Sequence, residues 1–277
     1  MRVDLHTHTE YSVDADQRQT PAQQAQAALD AGIGILGITD HLDYFRTHGP
    51  GENRDPSGGV RAAQTAKRAF EGRIEVLTGI EIGQIHVDPA ADEFIRAHEL
   101  DMVIGSLHVM PNDIDVYFQP FSELDCDAFL HEYFDEVLAM EAHGGFDVLA
   151  HIDYPLRVMK HGDYVPSFDH YMDRVEQVLR VCIDRGYAFE LNAAGLGGWQ
   201  KRVGPPQNIL YEYKRMGGER ISIGSDSHSL ANVGRGIDDC AKNAIDAGFR
   251  TVTVFRGRQP FQIPLHGPDA PQGGENA

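Results

Sequence analysis

Short apolar runs alternate with longer amphipathic or alanine-rich segments along nearly the whole chain. A short apolar run bounded by turn residues is typical of a buried strand. The runs predict seven strands and an eighth candidate: Val3–Leu5, Gly34–Thr39, Glu75–Ile82, Met102–His108, Val148–His151, Ala188–Asn192, Ile221–Gly224 and, as the eighth, Thr251–Phe255.

The segments between these strands predict helices. In the first segment, Thr20 is a suitable N-cap residue and Pro21 suits the first helical position. The predicted helices are Pro21–Ala31, Val60–Phe70, Cys126–His143, Phe168–Arg185, Gln207–Met216 and Ala231–Ala247. Repeated strand–helix–strand order indicates parallel strands with crossover helices. We therefore expect a single-domain α/β fold, a closed or distorted TIM-like (β/α) barrel, with a doubly wound sheet as the alternative.

Two segments depart from this alternation. Asp43–Gly59 carries Gly, Pro, Asn and charged residues and is predicted as a long loop after the second strand. Residues 257–277 are rich in Gly and Pro and are predicted as a partly flexible tail beyond a barrel of residues 1–256. In this tail, three apolar side chains are expected to pack against the barrel before the chain frays after Gly267: Phe261, Ile263 and Leu265.

Composition and charge restrict the class of partner. With 277 residues and 42% hydrophobic content, the chain can bury one large core. The formal net charge of -18 disfavours binding to nucleic acid or to an anionic membrane, because such polyanions would be repelled at long range. A small phosphate ester remains compatible where positive charge is local. We therefore expect a small-molecule partner, no nucleic acid and no membrane, and the oligomeric state stays open.

The same sequence features indicate a cytoplasmic protein. Nothing approaches the roughly 18 apolar residues of a membrane span. The first predicted strand begins at Val3, in the space that a secretory signal would need. Cys126, Cys182 and Cys240 are odd in number and form no C-x-x-C pair, so they suggest neither a disulfide framework nor a thiolate zinc site.

Potential metal ligands lie at the predicted strand ends. His6 and His8 are two residues apart, so both side chains can reach one ion from the same face of a strand. Asp226 and His228 repeat this spacing late in the chain. Four other strands end in further ligand types: His41, Glu81, His108 and His151. A lone strand-end histidine is more often structural than a ligand, but six such strand ends converge on one face of a parallel β/α array and predict a metal site. The histidines without this placement are given surface, loop or helix-end roles: His48, His86, His98, His131, His143, His161, His170 and His266.

These motifs resemble those of the polymerase and histidinol phosphatase (PHP) superfamily. The matching motifs are His-x-His, Thr-Asp-His, a Glu after Gly-Ile, Gly-Ser-Leu-His and Ser-Asp-Ser-His, and they cover residues 2–228. The resemblance implies a distorted (β/α)7 barrel that holds two or three divalent metal ions, Zn, Mn or Fe. Two segments narrow it toward histidinol-phosphate phosphatases: Phe189–Gly195, with a Glu-x-Asn-x-x-Gly pattern, and His151–Arg157, with a His-x-Asp-x-x-x-Arg pattern. This subgroup hydrolyses L-histidinol phosphate to L-histidinol and phosphate in histidine biosynthesis.

The resemblance also implies which residues bind each ion. The first ion would have four ligands: His6, His8, Glu81 and Asp226. The second would share the bridging carboxylate and add two histidines: Glu81, His108 and His151. The third would have His41, His228 and Asp14, and Asp16 competes with Asp14 for this assignment. Many relatives have histidine in place of Asp14, and a carboxylate there would shift metal preference toward Mn or Fe and away from Zn.

Clustered divalent ions suit the hydrolysis of phosphate monoesters. Two ions about 3.5–4 Å apart can generate a bridging hydroxide near neutral pH and bind the phosphate oxygens, so no side-chain nucleophile is required. The predicted catalytic residues are Glu81, Asp153, Arg157 and His228, and the predicted substrate contacts are Arg157, Asn192 and Arg202. Arg157 would neutralise phosphate charge, and Asp153 would protonate the leaving oxygen unless nearby cations keep it ionised.

Three rival functions are weighed against this one. Another PHP phosphoesterase, acting on nucleotides or other small phosphate esters, fits the same ligands. An amidohydrolase also uses His-x-His at its first strand, but Glu81 and the late Asp-x-His pair speak against it. A noncatalytic metal-binding or polymerase-accessory module is disfavoured by the complete ligand set.

Overall fold

The computed structural model describes residues 1–47, 49–50 and 55–265. The strands in these ranges are β1 (Val3–Asp4), β2 (Ile35–Ile38), β3 (His41–Phe45), β4 (Gly49–Pro50), β5 (Glu75–Gly83), β6 (Met102–Ser106), β7 (Val148–Leu149), β8 (Ala188–Asn192), β9 (Ile221–Gly224), β10 (Thr251–Arg256) and β11 (Gln259–Pro264). The helices are α1 (Pro21–Asp30), α2 (Pro56–Ala69), α3 (Ala90–Ala97), α4 (Cys126–His143), α5 (Tyr154–Val158), α6 (Met172–Arg185), α7 (Gln207–Arg215) and α8 (Ile237–Asp246).

Seven parallel strands form a nearly closed barrel. Their order is β1-β2-β5-β6-β7-β8-β9, with helices between most of them. This confirms the distorted TIM-like (β/α)7 fold and excludes the doubly wound alternative. The eighth candidate strand is β10, which pairs antiparallel with β11 in a separate two-stranded sheet and does not enter the barrel.

Strand β5 pairs with β6 on one side and with two successive strands on the other. Its first half pairs with β2 and its second half with β3, so that His41 lies opposite Glu81. Between β2 and β3, the carboxylate of Asp40 accepts hydrogen bonds from Thr9 N at 2.6 Å and from Ser12 Oγ at 2.8 Å. This interruption of the strand brings His41 beside Glu81 at the carboxyl end of the barrel.

Backbone hydrogen bonds between the first and last barrel strands close the barrel. Leu5 N donates to Ile223 O at 2.9 Å, and Asp226 N donates to His6 O at 2.8 Å. Gly224 allows this approach, because a Cβ atom at its position would lie 2.3 Å from the Cβ of His6. The two motifs with period-two spacing, early and late in the chain, therefore meet.

The predicted helices are present, with shifted starts and two additions. Thr20 caps α1 in a capping box with Gln23, as the sequence indicates. The predicted helix over Phe168–Arg185 begins at Met172 after a 3₁₀ turn, and the one over Ala231–Ala247 begins at Ile237. The short helices α3 and α5 were not predicted, since each is too brief for a clear helical periodicity. None of the described helices combines the length and the apolarity needed to cross a membrane.

The prediction of one long loop over Asp43–Gly59 is wrong at both ends. Residues up to Phe45 continue β3, and α2 begins at Pro56 with Asp55 as its N-cap. Both elements contain residues that are typical of loops, so the sequence pattern did not predict them there: β3 contains Asp43, and α2 begins with Pro-Ser-Gly-Gly. His48 and residues 51–54 lie outside the described residues.

The C-terminal segment is more ordered than a tail as far as Leu265. Gln259–Pro264 forms β11, and Ile263 and Leu265 pack against the core as expected. Phe261 is 45% exposed and lies under the guanidinium of Arg256, so its predicted packing against the barrel is not observed. The predicted fraying after Gly267, like His266, lies outside the described residues.

A buried glutamate in α4 lies away from the strand ends. Glu141 is fully buried, and neither of its carboxylate oxygens has a hydrogen-bond partner among the described residues. Burial raises the pKa of Glu141 to about 9, although the positive charge of Arg185 opposes this shift. At neutral pH the folded protein therefore holds a proton that the unfolded chain releases.

We expect Glu141→Gln to reduce the pH dependence of stability. The ordinary glutamate pKa is 4.5, so between that pH and about 9 the folded chain binds one more proton than the unfolded chain, and the free energy of unfolding falls as pH rises. At about 1.4 kcal/mol per pKa unit, the contribution is on the order of 4 kcal/mol between pH 5 and pH 8. Denaturant unfolding at these two pH values, with a chelator present, should show a smaller fall for the variant. Equal falls in the two proteins would contradict the role of Glu141.

Candidate metal centre

The carboxylate of Glu81 lies at the centre of the converging strand ends. Its Oε2 is 3.1 Å from His6 Nε2 and 2.9 Å from His41 Nδ1. Its Oε1 is 2.9 Å from His151 Nε2 and 3.3 Å from His108 Nε2. Glu81 is fully buried, and its two oxygens face separate groups of imidazoles, because Oε2 is also 3.5 Å from His8 Nε2. A carboxylate placed in this way can bridge two cations.

The two motifs with period-two spacing form one wall of the centre. Asp226 Oδ1 is 3.3 Å from His8 Nε2 and 3.8 Å from His6 Nε2. His6 and His8 are both buried, and ligand-type atoms of these two histidines and Glu81 lie within 4.8 Å of one another. The predicted ligands of the first ion are therefore together on one side of Glu81.

A second group of ligand types lies toward solvent. His228 Nε2 is 3.0 Å from Asp14 Oδ2, and His41 Nε2 is 3.6 Å from Asp14 Oδ1. The Nε2 atoms of His41 and His228 are 3.4 Å apart. Asp16 points elsewhere, to Arg18, with 3.6 Å between Asp16 Oδ1 and the Nε of Arg18. The structure thus brings Asp14, and not Asp16, to the two histidines.

Four buried ligand-type atoms that meet at Glu81 Oε2, this oxygen included, have no hydrogen-bond partner among the described residues. They are His6 Nε2, His8 Nε2, His41 Nδ1 and Glu81 Oε2. Buried polar atoms in native proteins almost always have partners, so four that converge on one point indicate a missing ligand. Nitrogen and carboxylate oxygen donors in this number suit Zn, Mn or Fe, and the residues present therefore fit divalent metal ions.

The charges at the centre are strongly coupled. Burial alone would raise the pKa of Glu81, but the positive charges of His6, His108 and His41 outweigh burial and hold this pKa well below its ordinary value. Burial alone would lower the pKa of His6, yet Glu81, Glu190 and Asp226 raise it well above its usual range. Burial lowers the pKa of His8 well below its ordinary value, and His41 and His228 add to this effect. The centre is thus ionised on its carboxylates and contains mutually repelling imidazoles.

Outer partners orient the rings of several histidines. His8 Nδ1 donates to Ser12 Oγ at 3.1 Å, and Ser12 in turn donates to Asp40. His108 Nδ1 donates to Asp43 Oδ1 at 2.8 Å. Such bonds select the tautomer that leaves the other ring nitrogen free for a metal ion.

Sequence reasoning missed two carboxylates that act in this way, Asp43 and Glu190. His6 Nδ1 donates to Glu190 Oε1 at 2.6 Å, and Asp43 binds His108. Period-two spacing could have indicated both residues, because side chains two apart on a strand share a face. Asp43 follows His41 by two residues on β3, and Glu190 precedes Asn192 by two on β8.

Arg157 and Asp153 lie next to the metal ligands. Arg157 NH1 is 3.6 Å from Asp226 Oδ2, and its NH2 donates to Asp153 Oδ1 at 3.4 Å. Asp153 is 1% exposed and packs against Gly204, where a Cβ atom would lie 2.3 Å from its Oδ2. Asp153 is therefore placed to orient the arginine, and its role as a proton donor to the leaving oxygen stays a prediction.

The structure separates the other two predicted substrate contacts. Asn192 is buried next to Asp226, with its Nδ2 donating to Asp226 Oδ2 at 3.2 Å and its Oδ1 accepting from Ala194 N at 3.0 Å. Arg202 lines a cavity of about 220 Å³ with Ser167 and Asp169, and that cavity contains none of the predicted metal ligands. The structure therefore brings Asn192 to the centre and places Arg202 in a different cavity.

A larger cavity is also remote from the carboxyl ends of the strands. It measures about 850 Å³ and is lined by residues such as Gly34, Glu75 and Asp101, which lie at the starts of barrel strands. The histidine cluster is at the opposite ends of these strands. Chemistry of the side chains, and not cavity size, therefore identifies the candidate site.

Comparison with known proteins agrees with this geometry. The family model described as PHP domain matches residues 4–194. A probable histidinol-phosphatase of Clostridium acetobutylicum is 30% identical over 266 residues, which cover 91% of this chain and 96% of that protein. A probable histidinol-phosphatase of Deinococcus radiodurans is 30% identical over 268 residues, which cover 92% of this chain and 97% of that protein. The similarity thus extends over nearly the full length of both relatives.

A solved structure has the same fold. The histidinol phosphate phosphatase of Lactococcus lactis, complexed with zinc, L-histidinol and phosphate, superposes with a TM-score of 0.80 at 22% identity, covering 94% of this chain and 98% of that chain. A putative histidinol phosphatase of Listeria monocytogenes gives a TM-score of 0.71 at 17% identity, covering 86% of this chain and 99% of that chain. The distorted barrel is common to all three proteins.

We expect Asp14→His to shift metal preference toward Zn. An imidazole is a softer ligand than a carboxylate, and Asp14 contacts both His41 and His228. After loading from equal concentrations of Zn, Mn and Fe, elemental analysis should show a higher Zn fraction in the variant than in the wild type. Asp16→His is the matched control, since Asp16 pairs with Arg18, and its profile should not change. An unchanged profile in Asp14→His would count against Asp14 as a ligand.

Proposed function

The chain belongs to the PHP domain family, and we propose that it is a metal-dependent phosphate monoester hydrolase that converts L-histidinol phosphate and water to L-histidinol and phosphate. The observation that carries this proposal is the position of Glu81 among five histidines, with unpartnered ligand atoms around it. The two relatives at 30% identity, each named a probable histidinol-phosphatase, support the substrate. The proposed biosynthetic role fits the cytoplasmic location expected from the sequence.

Nine residues would hold two or three divalent ions: His6, His8, Asp14, His41, Glu81, His108, His151, Asp226 and His228. When bound, the ions would activate a water molecule as hydroxide for attack on phosphorus and would neutralise charge on the phosphate oxygens. Glu81 would hold the two inner ions at a fixed separation. The ions need not bind equally tightly, because Asp14 is half exposed while Glu81 is fully buried.

Arg157 would bind the phosphate beside the ions. It is 11% exposed at its side chain, and its Nε has no hydrogen-bond partner among the described residues. Asp153 and Asp226 hold the guanidinium from two directions, so Arg157 can present N–H groups toward the centre in a fixed orientation. His228 lies at the open side, where it could contact both an ion and the ester. Asn192 would hold Asp226 in place, and Arg202, which lines a separate cavity in this structure, would contact the substrate from the rim.

The mouth of the centre offers groups that suit a cationic leaving group. Tyr154 lies 5.8 Å from the ring centroids of both His108 and His151, and its hydroxyl donates to Asp115 Oδ1 at 3.0 Å. Tyr117 and Phe118, which follow Asp115 closely in the sequence, are 62% and 74% exposed. An acidic group with aromatic neighbours would favour the amino and imidazole groups of L-histidinol phosphate.

We expect chelator-treated protein to release phosphate from L-histidinol phosphate only after metal is added back. The test panel is L-histidinol phosphate, nucleoside monophosphates, sugar phosphates and p-nitrophenyl phosphate, assayed after add-back of Zn, Mn or Fe. L-Histidinol phosphate should be hydrolysed with the highest kcat/KM, because the mouth carries the acidic and aromatic groups described above. Comparable kcat/KM on all esters would refute the substrate and leave the phosphatase activity, and no release from any ester would refute both.

We expect Glu81→Ala to reduce phosphate release to the background of the assay while the barrel stays folded. The variant removes the carboxylate that contacts five histidines, so the loss should far exceed the 10- to 100-fold that typically follows removal of an outer hydrogen-bond partner. Circular dichroism and thermal unfolding monitor the fold. Glu141→Gln, which alters a buried glutamate outside the centre, is the control and should keep its activity. Near-normal turnover in Glu81→Ala would refute the bridging role.

A further inference from the structure

Glu190 is a buried carboxylate of β8 that contacts His6 on the side away from the metal centre. Its Oε1 accepts a hydrogen bond from His6 Nδ1 at 2.6 Å, while His6 Nε2 faces Glu81 Oε2 at 3.1 Å. We propose that Glu190 is a positioning residue that fixes His6 in the tautomer protonated at Nδ1 and keeps His6 Nε2 free for a metal ion. The inference rests on the metal centre of the proposed function.

The second oxygen of Glu190 is also fully used. Oε2 accepts from the backbone N–H of His151 at 2.9 Å and from Asn192 Nδ2 at 3.1 Å. Three donors therefore converge on this side chain, and only an ionised carboxylate, which has acceptors and no donors, satisfies all of them. The side chain is 1% exposed, so water cannot readily replace a lost partner.

These contacts join residues from both predicted inner ion sites. His6 belongs to the first site, and the backbone of His151 carries a ligand of the second. Asn192 donates in addition to Asp226 Oδ2 at 3.2 Å. Strand β8 itself supplies no predicted metal ligand. Its two inward polar side chains, two residues apart, instead hold the ligands of the neighbouring strands in position.

Glu190 is more deeply buried than Asp43 and, unlike Ser12, carries a charge. The side chain of Asp43, which binds His108 Nδ1 at 2.8 Å, is 20% exposed, and its position can be taken by water. Ser12, the partner of His8, is a neutral hydroxyl. Replacing Glu190 should therefore disturb its histidine more than replacing either of these residues.

The informative variant is Glu190→Gln, because the amide has the shape of the carboxylate but replaces one acceptor oxygen with an NH₂ donor. The two donors near Oε2 would repel an amide NH₂ group, so the amide oxygen should stay there and the NH₂ should face His6 Nδ1. His6 Nδ1 would then have to accept a hydrogen bond, and the proton would move to Nε2, the atom that the metal ion needs. The variant should therefore favour the tautomer that cannot bind the ion.

Metal affinity is measured by titrating the chelator-stripped protein with Zn against a chromogenic competitor. Glu190→Gln should bind the tightest Zn about 10- to 100-fold more weakly than the wild type, a typical effect for such partners. Glu141→Gln, an identical change at another buried glutamate, should bind as the wild type does. This titration uses no substrate, so a failure of the histidinol phosphate assay would leave its outcome valid.

The tautomer is read independently from nitrogen chemical shifts of ¹⁵N-histidine-labelled protein, with His6 assigned by comparison with His6→Gln. The wild type should keep the proton on His6 Nδ1 both with and without Zn, whereas metal-free Glu190→Gln should show Nδ1 unprotonated and Nε2 protonated. Wild-type Zn affinity together with an unchanged His6 tautomer would overturn the proposal. If Glu190→Gln does not fold, Glu190→Asp, which keeps the charge but withdraws it, should show an intermediate loss of Zn affinity, and wild-type affinity there would also overturn it.

Discussion

The whole centre depends on one buried negative charge, the carboxylate of Glu81. Transfer of an isolated carboxylate out of water costs far more than a protein's net stability, so Glu81 can remain ionised only if positive charge surrounds it. In this structure the surrounding imidazoles supply that charge, and the pKa of His6 and of His108 is raised well above its usual range despite burial, which opposes the shift. Divalent ions would compensate Glu81 in the same places and would release these protons from the rings.

Closure of the barrel is the second condition, because the ligands come from opposite ends of the chain. Asp4 Oδ2 accepts from Ser225 Oγ at 2.6 Å, across a sequence separation of 221 residues, and from Gly234 N at 2.8 Å. These bonds join β1, two residues before His6, to the segment after β9. A loss of this closure would separate His6 and His8 from Asp226, so the geometry of the centre is inseparable from the fold.

The sequence was informative wherever one local period determines geometry. Period-two spacing places His6 with His8, and the β/α alternation predicts that the strand ends converge. It was uninformative where a contact depends on register between strands: nothing local shows that Glu190 on β8 reaches the ring of His6 on β1, or that Asn192 bonds to Asp226. Arg202 was selected for its charge alone, and the path of the loop that carries it leads into another cavity. Strand β3 was missed because a charged residue such as Asp43 is typical of a loop. In the structure its carboxylate is paired with His108, a contact that the local sequence does not show.

The electrostatics also determine the order in which the centre can bind its ligands. A phosphate ester brings negative charge to a chain of net charge -18 and to a site that already contains Glu81, Asp226 and Glu190. Arg157 alone cannot offset this charge, because Asp153 and Asp226 already share its guanidinium. The ion pair between Arg157 and Asp226, together with the hydrogen bonds from Asn192 to Asp226 and Glu190, therefore forms a network with an excess of negative charge. Such a network favours cations first, and a phosphate group can bind there only after they have reversed the local potential.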